Sequence, residues 1–391
     1  MSRAPAYLDH AATTPVRPEV VEAMLPYLGA TFGNPSSSHA FGRAARGGLE
    51  RARREVAEAL GAEPGEVYFT SGGTEADNLA VIGRALAARA VGAPFGVAVA
   101  ATEHKAVLAA AHAVARLGGR EQLLPVDALG MIDRAAFAAA LAARPAVVSV
   151  MWVNNETGVA HPVAELATEA AAAGVPLHTD MVQAFGKVPA TLAGTSVALA
   201  TISGHKLGAP KGIGALVVRR GTTVEPLVTG GSQQRGIRPG TENIAGAVAL
   251  GRAAALAAHE VAVEHARLSR LRADLLAGLQ AALPDLVVVA AGGVTAPHVL
   301  AVLVPEAESA TLLMHLDRAG VAASGGSACA TGAVEPSHVL TAMGVPPGLA
   351  RGLVRLSLGH DSTAGDVAAA VAVFPEAVAR ARAATGALSR G

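Results

Sequence analysis

The feature that most constrains this chain is a repeated alternation between residues 66 and 219, where short, almost unbroken apolar runs are separated by amphipathic stretches. The runs are Val67 to Thr70, Gly96 to Ala101, Glu121 to Pro125, Ala146 to Val150, Val175 to Thr179, Val197 to Ile202 and Ala215 to Arg219. Each is the length of a strand, and continuous apolar character calls for cover on both faces. Helical patterns fill the intervals, notably Glu75 to Ala90 and Pro162 to Ala173. This order predicts an α/β fold with a mostly parallel sheet between helices. Polar residues at the strand ends then collect along one edge of that sheet.

The remainder reads differently. A short extended segment, Ala6 to Leu8, precedes the turn-rich Asp9 to Pro15, a helix near Pro18 to Leu28, a capping-rich loop from Gly33 to His39, and a helix from about Phe41 to Leu60. Beyond a long alanine-rich helical stretch, Thr241 to Leu283, strands are predicted at Leu286 to Ala290, Val299 to Val304 and Leu353 to Leu358. Helices are predicted around Ser309 to Ala319, Pro336 to Met343 and Ala364 to Ala384. We expect a large domain over 15–255 and a smaller α+β domain formed by 1–14 and 256–391.

Of 391 residues, 51% are hydrophobic and 16% charged, which argues against disorder. Thirty-one basic residues balance thirty-one acidic ones, leaving no electrostatic footprint for nucleic acid or an anionic membrane. A single cysteine, Cys329, excludes an intrachain disulfide and fits a reducing compartment. The N-terminus has no apolar core of signal-peptide length, and no uninterrupted apolar run approaches the ~20 residues of a membrane span. The expectation is a cytoplasmic protein.

Two strand ends carry the most chemistry. One apolar run stops at Asp180 and the next at Ser203-Gly204-His205-Lys206. An acid beside an amine on one edge suits pyridoxal phosphate, with Lys206 as Schiff-base lysine and Asp180 on the ring nitrogen. A solvated lysine and a turn aspartate are the plain alternative. Lys105 and Lys211 lie nearby, so lysine alone does not decide; Ser203 and His205 offer phosphate contacts that favour Lys206. In Thr70 to Ala76, a glycine turn opens a helix whose first amides, with Gly73 and Thr74, suit a phosphate, although most such turns are ordinary connections.

His104 ends another strand, where an imidazole can stack on a pyridine ring and relay protons, or simply satisfy a strand end. Asn155 and Gln183 have reach to the ring oxygen, and Asn155 alternatively holds a substrate carboxylate or a turn. Thr241, at the start of the long helix, is a second candidate phosphate ligand. Asn34 sits in the loop expected at the substrate edge. Small residues surround Cys329, with Gly325, Gly326 and Gly332 allowing a mobile thiol rather than a buried filler. Arg355, alternating against Val354 and Leu356, suits bidentate capture of a carboxylate, with a solvated face as the alternative.

Taken in order, Tyr7 to Pro15, Gly33-Asn34-Pro35, Thr70 to Glu75, Thr102 to Lys105, Val153 to Glu156, Ser203 to Lys206, Pro210-Lys211-Gly212 and Gly326 to Cys329 resemble the cysteine desulfurases of the NifS/IscS type. These belong to the class V aminotransferase-like, fold-type I pyridoxal-phosphate enzymes, and the similarity runs nearly end to end. The resemblance implies pyridoxal phosphate on Lys206 and Asp180, His104 stacked on the ring, and Asn155 and Gln183 beside it. Phosphate would be held by Gly73, Thr74, Ser203 and His205, with Thr241 supplied by the other subunit of a homodimer. It further implies Cys329 as the persulfide-forming nucleophile, which takes sulfur from L-cysteine and leaves L-alanine, and Arg355 as carboxylate anchor with Asn34 at the substrate.

A sulfur acceptor or iron–sulfur scaffold protein is the implied partner. No stable metal site is implied, only transient ligation of an iron–sulfur cluster through Cys329. Selenocysteine lyase and a class V aminotransferase are neighbouring activities, and a non-catalytic scaffold subunit is the reading from a different class. Met181 departs from the family's usual alanine.

Overall fold

A computed structural model describes residues 5–326 and 337–388. In chain order the strands are β1 (Ala6–Tyr7), β2 (Val67–Thr70), β3 (Gly96–Ala100), β4 (Arg120–Leu124), β5 (Val147–Ser149), β6 (Leu177–Asp180), β7 (Leu199–Ser203), β8 (Gly214–Val218), β9 (Val287–Val288), β10 (Val299–Leu303), β11 (Val321–Ala322) and β12 (Leu353–Ser357). The predicted strands are all present, within a few residues at their ends. β11 was not anticipated; it pairs in parallel with β1, so its two residues owe their form to a partner 315 positions away.

Seven strands form the main sheet in the order β2-β8-β7-β6-β5-β3-β4, parallel except for β8, which runs against both its neighbours. β3, β7 and β8 are buried throughout, as their unbroken apolar sequences require. The C-terminal ends of the parallel strands share one edge, where open α/β sheets place their ligands. Thr70 and Ser203 both pair with Gly214, from opposite sides. A Cβ on Gly214 would stand 2.7 Å from the Gly72 carbonyl carbon, so glycine is what lets the turn after β2 close against the end of β7.

β12, β10 and β9 form a separate antiparallel sheet. The long helix Ile244–Ala282 serves both regions. Its first turns, including Ala247, Leu250 and Ala254, belong to the core under the main sheet. Leu268, Leu271, Leu275 and Leu279 recur on one helical face and join β10, β12 and Leu8 in a second core. By length and apolar content alone this helix is long enough to cross a membrane, but half of that window is buried inside the protein, as in a core helix.

The helix start is a correction to the sequence reading. Asn243, not Thr241, caps it by accepting the Gly246 amide at 3.0 Å, which leaves Thr241 in the loop before it. The helix predicted from Glu75 to Ala90 is also interrupted: a π turn at Leu79–Gly83 widens it where Gly83 accepts a hydrogen bond from the Glu225 amide.

Candidate active site

Along the C-terminal edge of the main sheet lies a cavity of about 240 Å³, lined by the last residues of β6 and β7 and by residues that follow β2, β3 and β5. Lys206 follows β7 in a single 3-10 turn, Gly204–Lys206, and its Nζ donates to the carbonyls of Ala11 at 2.5 Å and Ala12 at 2.7 Å. Burial, aided by the Arg355 guanidinium, pushes this amine down to about 8. Such a shift keeps a useful fraction of it neutral and nucleophilic near physiological pH. Asp180, at the end of β6, is 5% exposed and accepts the Val182 amide at 2.8 Å. Burial raises its carboxyl while the His104 and Lys206 charges oppose that rise.

Behind Asp180 runs a polar chain inside the sheet that no sequence motif announced. Ser149 donates to Glu103 Oε1 at 3.0 Å and lies 2.9 Å from His178 Nδ1. His178 Nε2 is 3.1 Å from Thr201 Oγ1 and 3.7 Å from Asp77 Oδ1. All five are essentially fully buried. Burial, with Asp180 adding to it, raises Glu103 to about 8 and Asp77 well above the usual range, and burial holds His178 down at about 3. Burial thus favours the neutral form of each of these groups, and Asp180, opposed by the neighbouring cations, is the acid of this cluster best placed to be anionic at the cavity.

His104 lines the cavity and also caps the helix Lys105–Arg116, its Nδ1 accepting the Ala106 amide at 3.1 Å. The plain reading of a satisfied polar residue after a strand is met, and the ring also borders the cavity. Gly73, Thr74, Ser203 and His205 meet on one side, where the helix that begins at Gly73 presents its first amides. His205 Nδ1 sits 3.2 Å from Thr13 Oγ1, and burial together with Lys206 pushes its imidazole down to about 4. Gln183 Nε2 donates to Ala11 O at 2.9 Å, while Gln183 Oε1 is 3.1 Å from His298 Nε2.

Arg355 closes the opposite wall. Only 2% exposed, it is not a solvated residue: Nη2 pairs with Asp9 Oδ1 at 2.7 Å, and Nη1 donates to the carbonyls of Asn155 at 2.8 Å and Gly326 at 3.2 Å. Among the described residues its buried Nε has no partner. A guanidinium held in this way beside a cavity is suited to a further carboxylate. Asn155 and Gly326 line the same space. Ser337 hydrogen-bonds the Glu156 carboxylate, and His338 Nε2 lies 3.0 Å from the Glu103 carbonyl.

Two predicted residues are not brought into the cavity, and a third cannot be placed. Asn34 is exposed, with its Oδ1 taking the Ser36 amide at 2.9 Å, and Thr241 is exposed in its loop. Cys329 lies outside the described residues. Met181 packs into the core at 0% exposure, so the cavity wall beside Asp180 is Val182 instead. Asp9, Asp77, Glu103, His178 and His298 were missed; only Glu103, next to His104 at a strand end, carried a local signal.

The donor set fits pyridoxal phosphate. A buried carboxylate, a depressed amine and a cradle of helix-start amides with Ser203 and His205 match a basic ring nitrogen, an aldehyde and a phosphate, and Gly214 supplies the closeness that cradle needs. Residues 6–369 match the class-V aminotransferase family. The chain belongs to that family. A cysteine desulfurase of Cereibacter sphaeroides is 47% identical over 379 residues, spanning 96% of each chain. A solved NifS-like protein superposes with a TM-score of 0.89 at 31% identity, covering 96% of this chain and 99% of its own. A structure described as SspA in complex with cysteine aligns at a TM-score of 0.76 and 30% identity, over 90% of this chain and 98% of its own. The fold is that of the fold-type I pyridoxal-phosphate enzymes in this family, and pyridoxal phosphate is its cofactor.

Proposed function

We propose that this chain is a pyridoxal-phosphate-dependent cysteine desulfurase that moves the sulfur of L-cysteine to Cys329 and releases L-alanine. The observation that carries the reading is the convergence of Lys206, Asp180 and Arg355 on one cavity whose mouth is also where residues 327–336 leave and rejoin the described chain. Gly326 is held by Arg355 and Ser337 by Glu156. Cys329 follows Gly326 by three positions, a chain length of at most about 11 Å when extended, and this short tether supports the assignment of Cys329 to the reaction.

When bound, the pyridoxal ring acts as an electron sink for an amino acid joined to it. The chain's own groups do the rest. Arg355, on the wall facing Lys206, anchors the substrate carboxylate through its guanidinium. Lys206 takes and returns the α-proton, and Asp180 holds the proton on the ring nitrogen. His104 relays protons between the thiols. The Cys329 thiolate bonds to the substrate sulfur as the carbon–sulfur bond breaks. One cysteine and one thiol become one alanine and one persulfide, with no outside oxidant.

Gly73, Thr74, Ser203 and His205 are assigned to the phosphate, and Asn155 and Gln183 to the ring oxygen. We assign Thr241 to the phosphate of a second copy in a homodimer, a reading supported by its exposure outside its own cavity. The exposed Leu25, Leu28, Phe32 and Phe41 support it too, the two phenyl rings 5.5 Å apart, as an apolar face available for such a contact. Asn34, exposed in its loop, is assigned to the substrate edge of that assembly. The two cores support a division into 15–255 and 1–14 with 256–391. A cytoplasmic location and delivery of the persulfide to an iron–sulfur scaffold or another sulfur acceptor complete the proposal.

The test is to add L-cysteine to the loaded protein and measure alanine, sulfide and protein-bound sulfur, for wild type and Cys329→Ala. Equal alanine and persulfide in wild type, with no persulfide in the variant that still holds its cofactor, is the expected result. A keto acid in place of alanine would turn the reading toward an aminotransferase.

A further inference from the structure

His298 precedes β10 and is 1% exposed, and it comes to Gln183 from 115 residues further along the chain. Its backbone carbonyl accepts the Leu358 amide at 2.8 Å, which fixes it to the β12 end of the small sheet. Its Nε2 lies 3.1 Å from Gln183 Oε1, and its Nδ1 has no partner among the described residues. A buried imidazole with one bare nitrogen is an unusual thing to keep in a protein interior, and such groups call for an explanation.

The hydrogen-bond inventory supplies one. Ala11 O can only accept, so the Gln183 atom facing it at 2.9 Å must be the NH₂ group. The opposite end of the amide is then the carbonyl oxygen, and His298 must donate to it from Nε2. Gln183 is held at both ends, between the N-terminal segment and β10. Its second N–H is used by neither of these contacts. Gln183 lines the cavity and is 3% exposed.

We propose that His298 is a positioning residue: it locks the amide of Gln183 so that a hydrogen-bond donor, and not an acceptor, faces the ring oxygen of the cofactor. This deepens the assignment of Gln183 made above and rests on it. The consequence is chemical, because a fixed donor favours the cofactor with its ring oxygen deprotonated. Without His298 the amide keeps one anchor, Ala11 O, on a segment that also accepts from Lys206. Burial, reinforced by the charges of Lys187 and Arg355, holds the imidazole well below its ordinary value, so it stays neutral with a single proton to place.

The experiment compares wild type, His298→Leu, His298→Asn, Gln183→Ala and the Gln183→Ala/His298→Leu double variant, each loaded with pyridoxal phosphate. Visible spectra and cofactor dissociation constants are recorded. We expect His298→Leu to shift absorbance toward the shorter-wavelength form protonated on the ring oxygen, and to weaken cofactor binding about fivefold, the worth of one net hydrogen bond. His298→Asn, which still donates, recovers most of the wild-type spectrum. In the Gln183→Ala background His298→Leu adds nothing.

A wild-type spectrum in His298→Leu, or the same shift with Gln183 already gone, overturns the proposal and leaves a purely structural tie. Nitrogen NMR on unloaded wild type is the second measurement. A proton on Nε2 of His298 is required, and a proton on Nδ1 contradicts the proposal even if His298→Leu does not fold. Failure of the wild type to bind pyridoxal phosphate at Lys206 would instead strike the cofactor assignment itself.

Discussion

The two walls of the cavity are built on different principles. On the sheet side, Asp180, Ser203 and Lys206 sit at the ends of neighbouring buried strands, so the ladder that pairs Asp180 with Thr201 and Ser203 with Gly214 sets their spacing. Glu103, Ser149, His178 and Thr201 support them from inside the sheet. The facing wall is assembled from remote pieces: Arg355 on β12, Asp9 after β1, and Gly326 and Ser337 at the two ends of the segment that holds Cys329. The difference suits the proposed division of labour. A cofactor wall holds one geometry through every turnover, whereas the substrate wall admits a free amino acid and a thiol that comes and goes.

Removing a group from the first wall should therefore cost rate, and from the second, affinity. The largest effect belongs to Lys206→Ala, for which kcat should fall by about 10²–10⁴-fold, the usual share of a positioned acid–base group. Stopped-flow and steady-state assays on protein supplied with excess pyridoxal phosphate would show it; an unaltered kcat would undo the contrast. Arg355→Ala should lower kcat/KM by about 10–150-fold, from the 1.5–3 kcal/mol of charged hydrogen bonds, mainly through KM. A loss confined to kcat would place Arg355 on the wrong wall.

Next is pH. Free Lys206 titrates at about 8, lowered by burial and then by Arg355. Because the neutral amine is the reactive form, capture of pyridoxal phosphate by the unloaded protein should accelerate about tenfold between pH 7 and pH 9 and then level off. A rate independent of pH would mean that the amine is not the limiting group.

The remaining effect is on stability rather than rate and concerns Glu103. Its native carboxyl stays protonated up to about 8 through burial and then Asp180, against a reference value of 4.5 when unfolded. Between those pH values the unfolded chain binds fewer protons than the native one, so this residue lowers stability as pH rises through the window. Glu103→Gln, which stays neutral, should gain on wild type in urea midpoint from pH 5 to pH 8. Parallel curves for the two proteins would show that Glu103 is ionised in the fold.

The same contrast explains what was legible in the sequence. Strand-end residues announce themselves because an apolar run points to them, and Asp180, Lys206, His104 and Ser203 were read in this way. Arg355 was visible as an odd polar residue in a strand, but its burial was not, since that depends on Asp9, 346 residues away. His298 gave no signal at all, because its partner Gln183 comes from another part of the chain. Thr241 was placed at the helix start, whereas the cap is Asn243, two residues later, which accepts the Gly246 amide. Local pattern reveals what a strand or helix presents, and long-range pairing decides what is done with it.

The central claim is that the amine of Lys206 alone carries the cofactor. The sequence contains four lysines, Lys105, Lys187, Lys206 and Lys211, so the test has a small set of answers. Borohydride reduction of the loaded protein, followed by peptide mapping, should place the pyridoxyl group on Lys206 and nowhere else. A tag on Lys105, Lys187 or Lys211, or no tag in protein that shows the cofactor's absorbance, would contradict the account.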